Sequence, residues 1–378
     1  MPLLQRYGGE QLGPKPHIVV LGSCKVGNFV VSNPVMRGLR QRFPDAVIGF
    51  IGSDITAAFE AAMPEINWRV SWDRNDDQGG LPLLQTLNER RAAHGLVALA
   101  VNLDGFNPVT CTLMPWLQPR YAAGGSLKSN LRSKLPWGDA PQQRFLADAD
   151  WDSPAFLERY AGVFKSNYIA SLFCHLAYVH DHVDPNEIKL PWQEPEFEVP
   201  ELLIHCTTAR AAKVWPFESW ACVINSVTDR GWRVGLVGSA PAAQRDAYNA
   251  GDSEDDLLAN TSLIDLRGKT SLIQLAGACL AAKAVVSVDA GPLHIAAAMG
   301  TPTLGVIGND AEGVGASPVR LWMPRGSHVT RTVSSEQCSR CAEEHFRNDD
   351  CIVAGHPCMR GVAPQQVLEW LEPLMMNA

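Results

Sequence analysis

Apolar and polar positions along the chain alternate between short apolar runs and stretches of helical spacing. HIVVLG (17–22) is an apolar run of strand length. A Gly-containing loop, helical spacing over 28–42 and a second run, AVIGFIG (46–52), follow it and predict a βαβ unit. A helical stretch over 81–93 and the run LVALAVNLDG (96–105), which ends in polar residues, continue the rhythm of a parallel sheet flanked by helices. Over 115–145 the periodicity fades and Gly, Pro, Ser and cations accumulate, which predicts a long loop. Residues 183–200 carry four prolines and read as an interdomain linker.

Beyond the linker the alternation restarts. ELLIHC (201–206), a helix from Phe217, WRVGLVG (232–238), a helix over 240–250, SLIDLRG (262–268), a helix over 271–281, AAKAVVSVD (281–289), a helix over 292–299 and TPTLGVIG (301–308) form a second α/β series. The expected division is an N-terminal domain at 1–185, a linker at 186–200 and a C-terminal domain at 201–378. The fold class is α/β, with two facing Rossmann-like domains and a cleft between them suited to a nucleotide-bearing ligand.

Composition narrows this picture. With 378 residues, 46% hydrophobic and 19% charged, the chain can bury a sizeable core and favours two domains over one. A net charge of −8 argues against a general nucleic-acid or anionic-membrane surface. The opening residues lack a basic region followed by a long apolar one, so a cytoplasmic protein is expected, and its ten cysteines are read for metal rather than as a disulfide framework. The stretch SVDAGPLHIAAAMGTPTLGVIG (287–308) is long enough to span a bilayer. Asp289, Gly291-Pro292, His294 and Gly300-Thr301-Pro302 would place charge and helix breaks in hydrocarbon, so no membrane span is expected.

That stretch reads instead as a strand with Asp289 at its carboxyl end, a tight turn at Ala290-Gly291, and a short helix opened by Pro292 and stopped by Gly300. Small residues at 290 and 291 would let an anion reach backbone N–H groups at the helix start, with His294 on the first turn. An ordinary buried βαβ turn with a satisfied histidine is the plain alternative. In HCTTARAAKVWP, Thr207 and Thr208 follow a strand and Lys213 precedes a helix, so two hydroxyls and an ammonium could neutralise a pyrophosphate without a divalent ion. The plain reading there is a Thr turn and a surface lysine.

Together, VVSVDAGPLHIAAAMGTPTLGVIG, VVLGSCKVGNFVVSNPVMRGLRQRFPDAVIGFIG, VNLDG and IHCTTARAAKVWPFESW resemble the ADP-heptose:lipopolysaccharide heptosyltransferases, glycosyltransferase family 9. The resemblance extends over most of the chain and includes the autotransporter-modifying branch. It implies an inverting glycosyltransferase with an ADP-sugar donor bound mainly by the second domain, and an unspecified acceptor. It assigns donor phosphates to Thr207, Thr208 and Lys213, with one extra residue between the threonines and the lysine. Asp289, Ala290, Gly291, Pro292, Leu293 and His294 would line the donor, with Asp289 accepting a sugar hydroxyl. Relatives usually carry Thr or Ser where Ala290 stands.

The loop GSCKVGN (22–28) is not a Walker loop, because Asn28 follows Gly27 where Lys and then Ser or Thr are required. By resemblance, Lys25 and Gly27 face the donor phosphates and the acceptor. The family places its general base, an Asp, where this chain has Asn28. An amide cannot take a proton near neutral pH, so Asn28 can only position groups or cap a helix over 29–42. Asp104, at the carboxyl end of a predicted strand, is the replacement candidate. An amine acceptor, or a catalytically impaired nucleotide-sugar-binding protein, are the other outcomes.

Cys338, Cys341, Cys351 and Cys358 form C-x2-C-x9-C-x6-C, a set able to close a four-thiolate structural site for zinc or iron with no open catalytic position. Reduced thiols in a braced loop are the alternative. His180, His182, Asp181 and Asp184 read as a solvated loop. Arg120, Lys128, Arg132 and Lys134 are open to either an anionic acceptor or plain cationic surface. No catalytic metal is expected, and an oligomer is left open.

Overall fold

A computed structural model describes residues 4–73, 81–148, 151, 153–248, 251–310, 319–335, 338–344 and 351–376. The chain divides into two units, one made of Met1–Trp151 and Ala155–Lys189, the other of Asp152–Pro154 and Leu190–Ala378.

The first unit is built on six parallel strands: β1 (Gln5–Arg6), β2 (His17–Leu21), β3 (Val47–Gly52), β4 (Trp68–Ser71), β5 (Val97–Asn102) and β6 (Tyr121–Gly124), in the order β1-β6-β5-β2-β3-β4. Every residue of β2 is buried, as the unbroken run HIVVL requires of a parallel strand covered on both faces. After β2 the chain adds β3 and β4 on one side, then crosses back to add β5 and β6 on the other. The loops leaving β2 and β5 therefore diverge at the point where ligands bind in open α/β sheets.

Residues 115–145 are not one long loop. They contain the end of helix Pro108–Trp116, the fully buried strand β6, a bridge between Leu127 and Lys134, and the short helix Pro141–Arg144. The strand escapes a hydrophobicity reading because it is YAAG. Its burial comes from pairing with β5 and β1 rather than from large side chains.

The second unit repeats the plan with β7 (Leu202–His205), β8 (Val234–Leu236), β9 (Ile264–Asp265), β10 (Ala284–Val288), β11 (Thr303–Gly308) and β12 (Val329–Val333), in the order β12-β11-β10-β7-β8-β9. The order reverses between β7 and β10, which pair directly through Ala284 with Leu202 up to Ser287 with His205. Trp215, Trp220, Val223, Ile224 and Val227 fill one side of this sheet together with Val362, Val367 and Leu371. The C-terminal helix Pro364–Met376 thus supplies part of the core. No regular element lies between Leu176 and Leu202, in keeping with a proline-rich connector. Among the described residues no helix is long and apolar enough to cross a membrane.

Candidate functional site

In the second unit the carboxyl ends of β7 and β10 deliver the expected phosphate residues to one place. β7 runs into Cys206, Thr207 and Thr208, all buried, and a 3-10 turn at Ala211–Lys213 follows. β10 ends at Val288, so Asp289 stands in the turn before helix Gly291–Ala298. The ammonium of Lys213 donates to Asp289 Oδ2, both side chains being less than a fifth exposed. Nε2 of His294 lies 3.8 Å from Asp289 Oδ1. Burial works against the charged Asp289 carboxylate, but the neighbouring Lys213 charge, the nearby His294 ring and the hydrogen bond from Lys213 outweigh it and hold its pKa well below the usual range.

The helix start is shaped for a ligand in part. Ala290 occupies the N-cap with no side-chain cap, and Pro292 has no N–H. The Leu293 N–H donates to the Ala290 carbonyl at 3.2 Å, so Gly291 is the amide this turn can turn toward an anion. The Leu293 side chain is fully buried and belongs to the core, while Ala290, Gly291 and Pro292 are half-buried.

Thr207 departs from a simple phosphate contact. Its side chain has no exposed surface, and its Oγ1 accepts a hydrogen bond from Gln244 Nε2 at 2.9 Å. Gln244 and the residues behind it were not visible in the sequence pattern, since nothing in APAAQRD marks a buried polar group.

In the first unit, β2 leads into Gly22, which packs where a side chain would meet the Phe50 ring. The following helix spans Val26–Arg42 with Lys25 at the N-cap. Asn28 is therefore inside the first turn and is not the N-cap expected from the sequence. That cap assignment misplaced the helix start by three residues, because Val26 and Gly27 carry no helix-start signal. Lys25 is exposed, and Gly27 and Asn28 are half-buried.

Asp104 sits just past β5 in a loop held by side-chain bonds. The Asn107 amide donates to its carboxylate at 2.9 Å, Thr110 Oγ1 donates to its carbonyl at 2.8 Å, and its N–H donates to Asn102 Oδ1 at 3.0 Å. Asn107 also caps helix Pro108–Trp116 through the Val109 N–H. Gly105 and Gly125 pack backbone to backbone beside it, leaving no room for a side chain on Gly125. The thiol of Cys24 is pushed up by burial first, then by Asp73 and Asp104. Both carboxylates thus reach the loop after β2.

Asp73 is the residue that sequence reading missed. It follows β4, accepts from Ser53 Oγ at 2.6 Å and from the Asp54 N–H at 3.1 Å, and is more fully committed than Asp104.

All ten cysteines are free thiols. Cys358 is pushed up to about 11, by burial first and then by Cys351, Cys341 and Cys338; Cys341 is raised by burial and by Cys338 and Cys351. The fold brings the four into mutual electrostatic reach. Even so, among the described residues no group of three or more His, Cys, Asp or Glu is placed to hold a metal ion, so the closed four-thiolate set expected from the spacing is not assembled. Lys128, Arg132 and Lys134 lie exposed around the Leu127–Lys134 bridge. His180 is stacked on His175 at 3.9 Å between ring centroids, while Asp181, His182 and Asp184 are exposed.

Two parallel six-stranded sheets, each reversing order beside the loops described above, give the fold of the two-Rossmann-domain glycosyltransferases. Residues 165–351 match the family model of glycosyltransferase family 9 (heptosyltransferase). It is similar to lipopolysaccharide heptosyltransferase 2 of Escherichia coli K12, at 24% identity over 95% of this chain and 99% of the relative. Among solved structures, a family 9 glycosyl transferase from Veillonella parvula superposes with a TM-score of 0.67 at 14% identity, covering 98% of this chain and 100% of the other. The iron-containing dodecameric glycosyltransferase TibC from enterotoxigenic E. coli superposes with a TM-score of 0.57 at 14% identity, covering 97% of this chain and 78% of the other.

Proposed function

We propose that the protein is an inverting glycosyltransferase that takes a heptose or related sugar from an ADP-linked donor held by the second unit. The observation that carries this reading is the convergence of Thr208, Lys213, Asp289 and the start of helix Gly291–Ala298 at the β7/β10 reversal point. An ammonium and a helix amino terminus in a partly buried setting favour a diphosphate, and become more favourable as charge builds on it in the transition state. Lys213 exchanges some of its contact with Asp289 for the phosphate, and Asp289 is then available to a sugar hydroxyl. The acceptor oxygen attacks the anomeric carbon as the bond to the diphosphate breaks, ADP leaves with the electron pair, and Asp104 takes the acceptor proton.

A solved structure of TibC is a complex with ADP-D-beta-D-heptose, which supports the donor class. A second reading, a nucleotide-sugar-binding protein without turnover, rests on the amide at Asn28. Calorimetry with ADP, UDP and GDP tests the donor site: ADP binds at least about tenfold tighter than the others, a difference of about 1.4 kcal/mol, and Lys213→Ala weakens all three alike, because the diphosphate it neutralises is common to them. Equal or absent binding rejects the reading. ADP binding without ADP release from ADP-heptose, over a panel of glycan, protein and amine acceptors, selects the second reading.

No step is routed through a metal. A structural ion at Cys338, Cys341, Cys351 and Cys358 is a separate proposal, supported by the soft donor set and its C-x2-C-x9-C-x6-C spacing. Metal analysis of purified protein with no zinc or iron above background removes it. Ten unpaired thiols also support a reducing, cytoplasmic setting.

A further inference from the structure

Behind the phosphate turn lies a buried polar chain. Gln244, fully buried at the first turns of helix Pro241–Ala247, donates one amide hydrogen to Thr207 Oγ1 at 2.9 Å. Its other hydrogen is shared between the two carboxylate oxygens of Glu254 at 3.3 and 3.4 Å. Glu254 is itself fully buried and receives Arg267 Nη1 at 3.2 Å, and Arg267 is held in turn by Asp265 at 2.9 Å and Asp255 at 2.8 Å. Gly238 leaves the space that the Gln244 amide occupies. The Gln244 Oε1 atom is buried without a partner.

An isolated buried ion pair is weak evidence for stability, because well-packed apolar residues of the same volume often serve as well. This one does something an apolar pair could not. The Glu254 carboxylate dictates which face of the Gln244 amide carries the hydrogens, and the amide then dictates that Thr207 Oγ1 is an acceptor toward the interior. The backbone that follows Thr207 leads within six residues to Lys213.

We propose that Gln244, locked by Glu254 and Arg267, is a positioning residue for the phosphate turn, and that Thr207 acts through this link rather than as a contact to the ligand. The inference rests on the donor-site reading above. It assigns the ligand-facing work of the turn to Thr208 and Lys213, and the orientation of the turn to the Arg267–Glu254–Gln244–Thr207 chain.

A double-mutant cycle tests it, with ADP affinity by calorimetry and hydrogen exchange over residues 206–213 as readouts. Gln244→Leu and Thr207→Val each weaken ADP about tenfold and speed exchange in the turn, the double variant is within about twofold of the weaker single one, and Thr207→Ser restores affinity. Multiplying losses would mean that Thr207 touches the ligand itself, and unchanged affinity in Gln244→Leu would mean that the link orients nothing; either result overturns the proposal. If Gln244→Leu does not fold, Gln244→Met, with its unbranched chain, replaces it. Thr207→Val, nearly isosteric, decides the matter if neither folds, since unchanged exchange over 206–213 then overturns the proposal. Wild-type protein that fails to bind ADP defeats the donor reading and this inference with it, whereas ADP binding with an additive cycle defeats the inference alone.

Discussion

Asn28 and Asp104 pose the central question at the scale of single residues. Asn28 stands where the family resemblance implies a base, and an amide has no proton affinity to offer. Asp104 and Asp73 both reach the Cys24 loop, but they differ in what already occupies them. Asp73 is tied to Ser53 and the Asp54 N–H, while the Asp104 carboxylate keeps one bond, from Asn107. Asp104→Asn is therefore expected to lower kcat about 100-fold or more with ADP affinity unchanged, in the range general-base catalysis supplies, and Asp73→Asn to lower it less than about fivefold. Steady-state kinetics beside ADP calorimetry checks the pair, and the reverse ranking would move the base to Asp73.

Residue chemistry was legible in the sequence where a motif sat next to a strand end. Lys213 and Asp289 are 76 positions apart and each was found from its own neighbourhood, yet nothing in either stretch said that they would pair. Asp73 and Gln244 were invisible for a related reason. Their roles come from side chains that approach from other elements, Ser53 and Asp54 for one, Thr207 and Glu254 for the other.

Among elements, helix Ile169–Leu176 shows how burial of a polar group becomes a pH response. All eight residues are buried, including His175, whose ring stacks on His180 and meets Phe164 edge-on. Burial first, and then the neighbouring His180, lower the His175 pKa from 6.5 to about 4. Between those values the unfolded chain takes up a proton that the folded chain refuses, so stability is full above pH 6.5 and falls as the pH drops toward 4. Melting temperature is expected to fall by roughly 2–6 °C between pH 7 and 5 from this group. His175→Phe should flatten that slope, and an unchanged slope would show that His175 is not its source.

Strand identity was readable wherever large apolar residues formed a run, as in β2, β3, β7 and β10. It failed for β6, whose Ala and Gly residues look like loop but are buried between β5 and β1. The helix start failed where no capping side chain marks it, at Lys25, while Pro292 marked the start of helix Gly291–Ala298 to within one residue.

For the whole molecule, the second unit holds Thr208, Lys213, Asp289 and the helix start of the proposed donor site, and the first holds Lys25, Gly27, Asn28, Asp73 and Asp104. If ADP binds only the second, it stabilises only that unit. At 100 times its Kd the gain is about 2.7 kcal/mol. Differential scanning calorimetry with ADP should raise one transition, assigned to residues 190–378, and leave the other in place. A rise in the first unit's transition alone would contradict the assignment of the donor site.

By itself the sequence determined the α/β class, the two series of elements, most strand and helix identities, and the resemblance that points to a sugar-nucleotide chemistry. These are properties of local periodicity and short motifs, which operate over a few residues at a time. Tertiary structure alone decided which loops share a reversal point, that Lys213 pairs with Asp289, that Asp73 is tied to Ser53 and Asp54, and that a buried chain runs from Arg267 to Thr207. Each depends on contacts between residues far apart in the chain, and strand order and side-chain direction create those contacts without leaving a local trace.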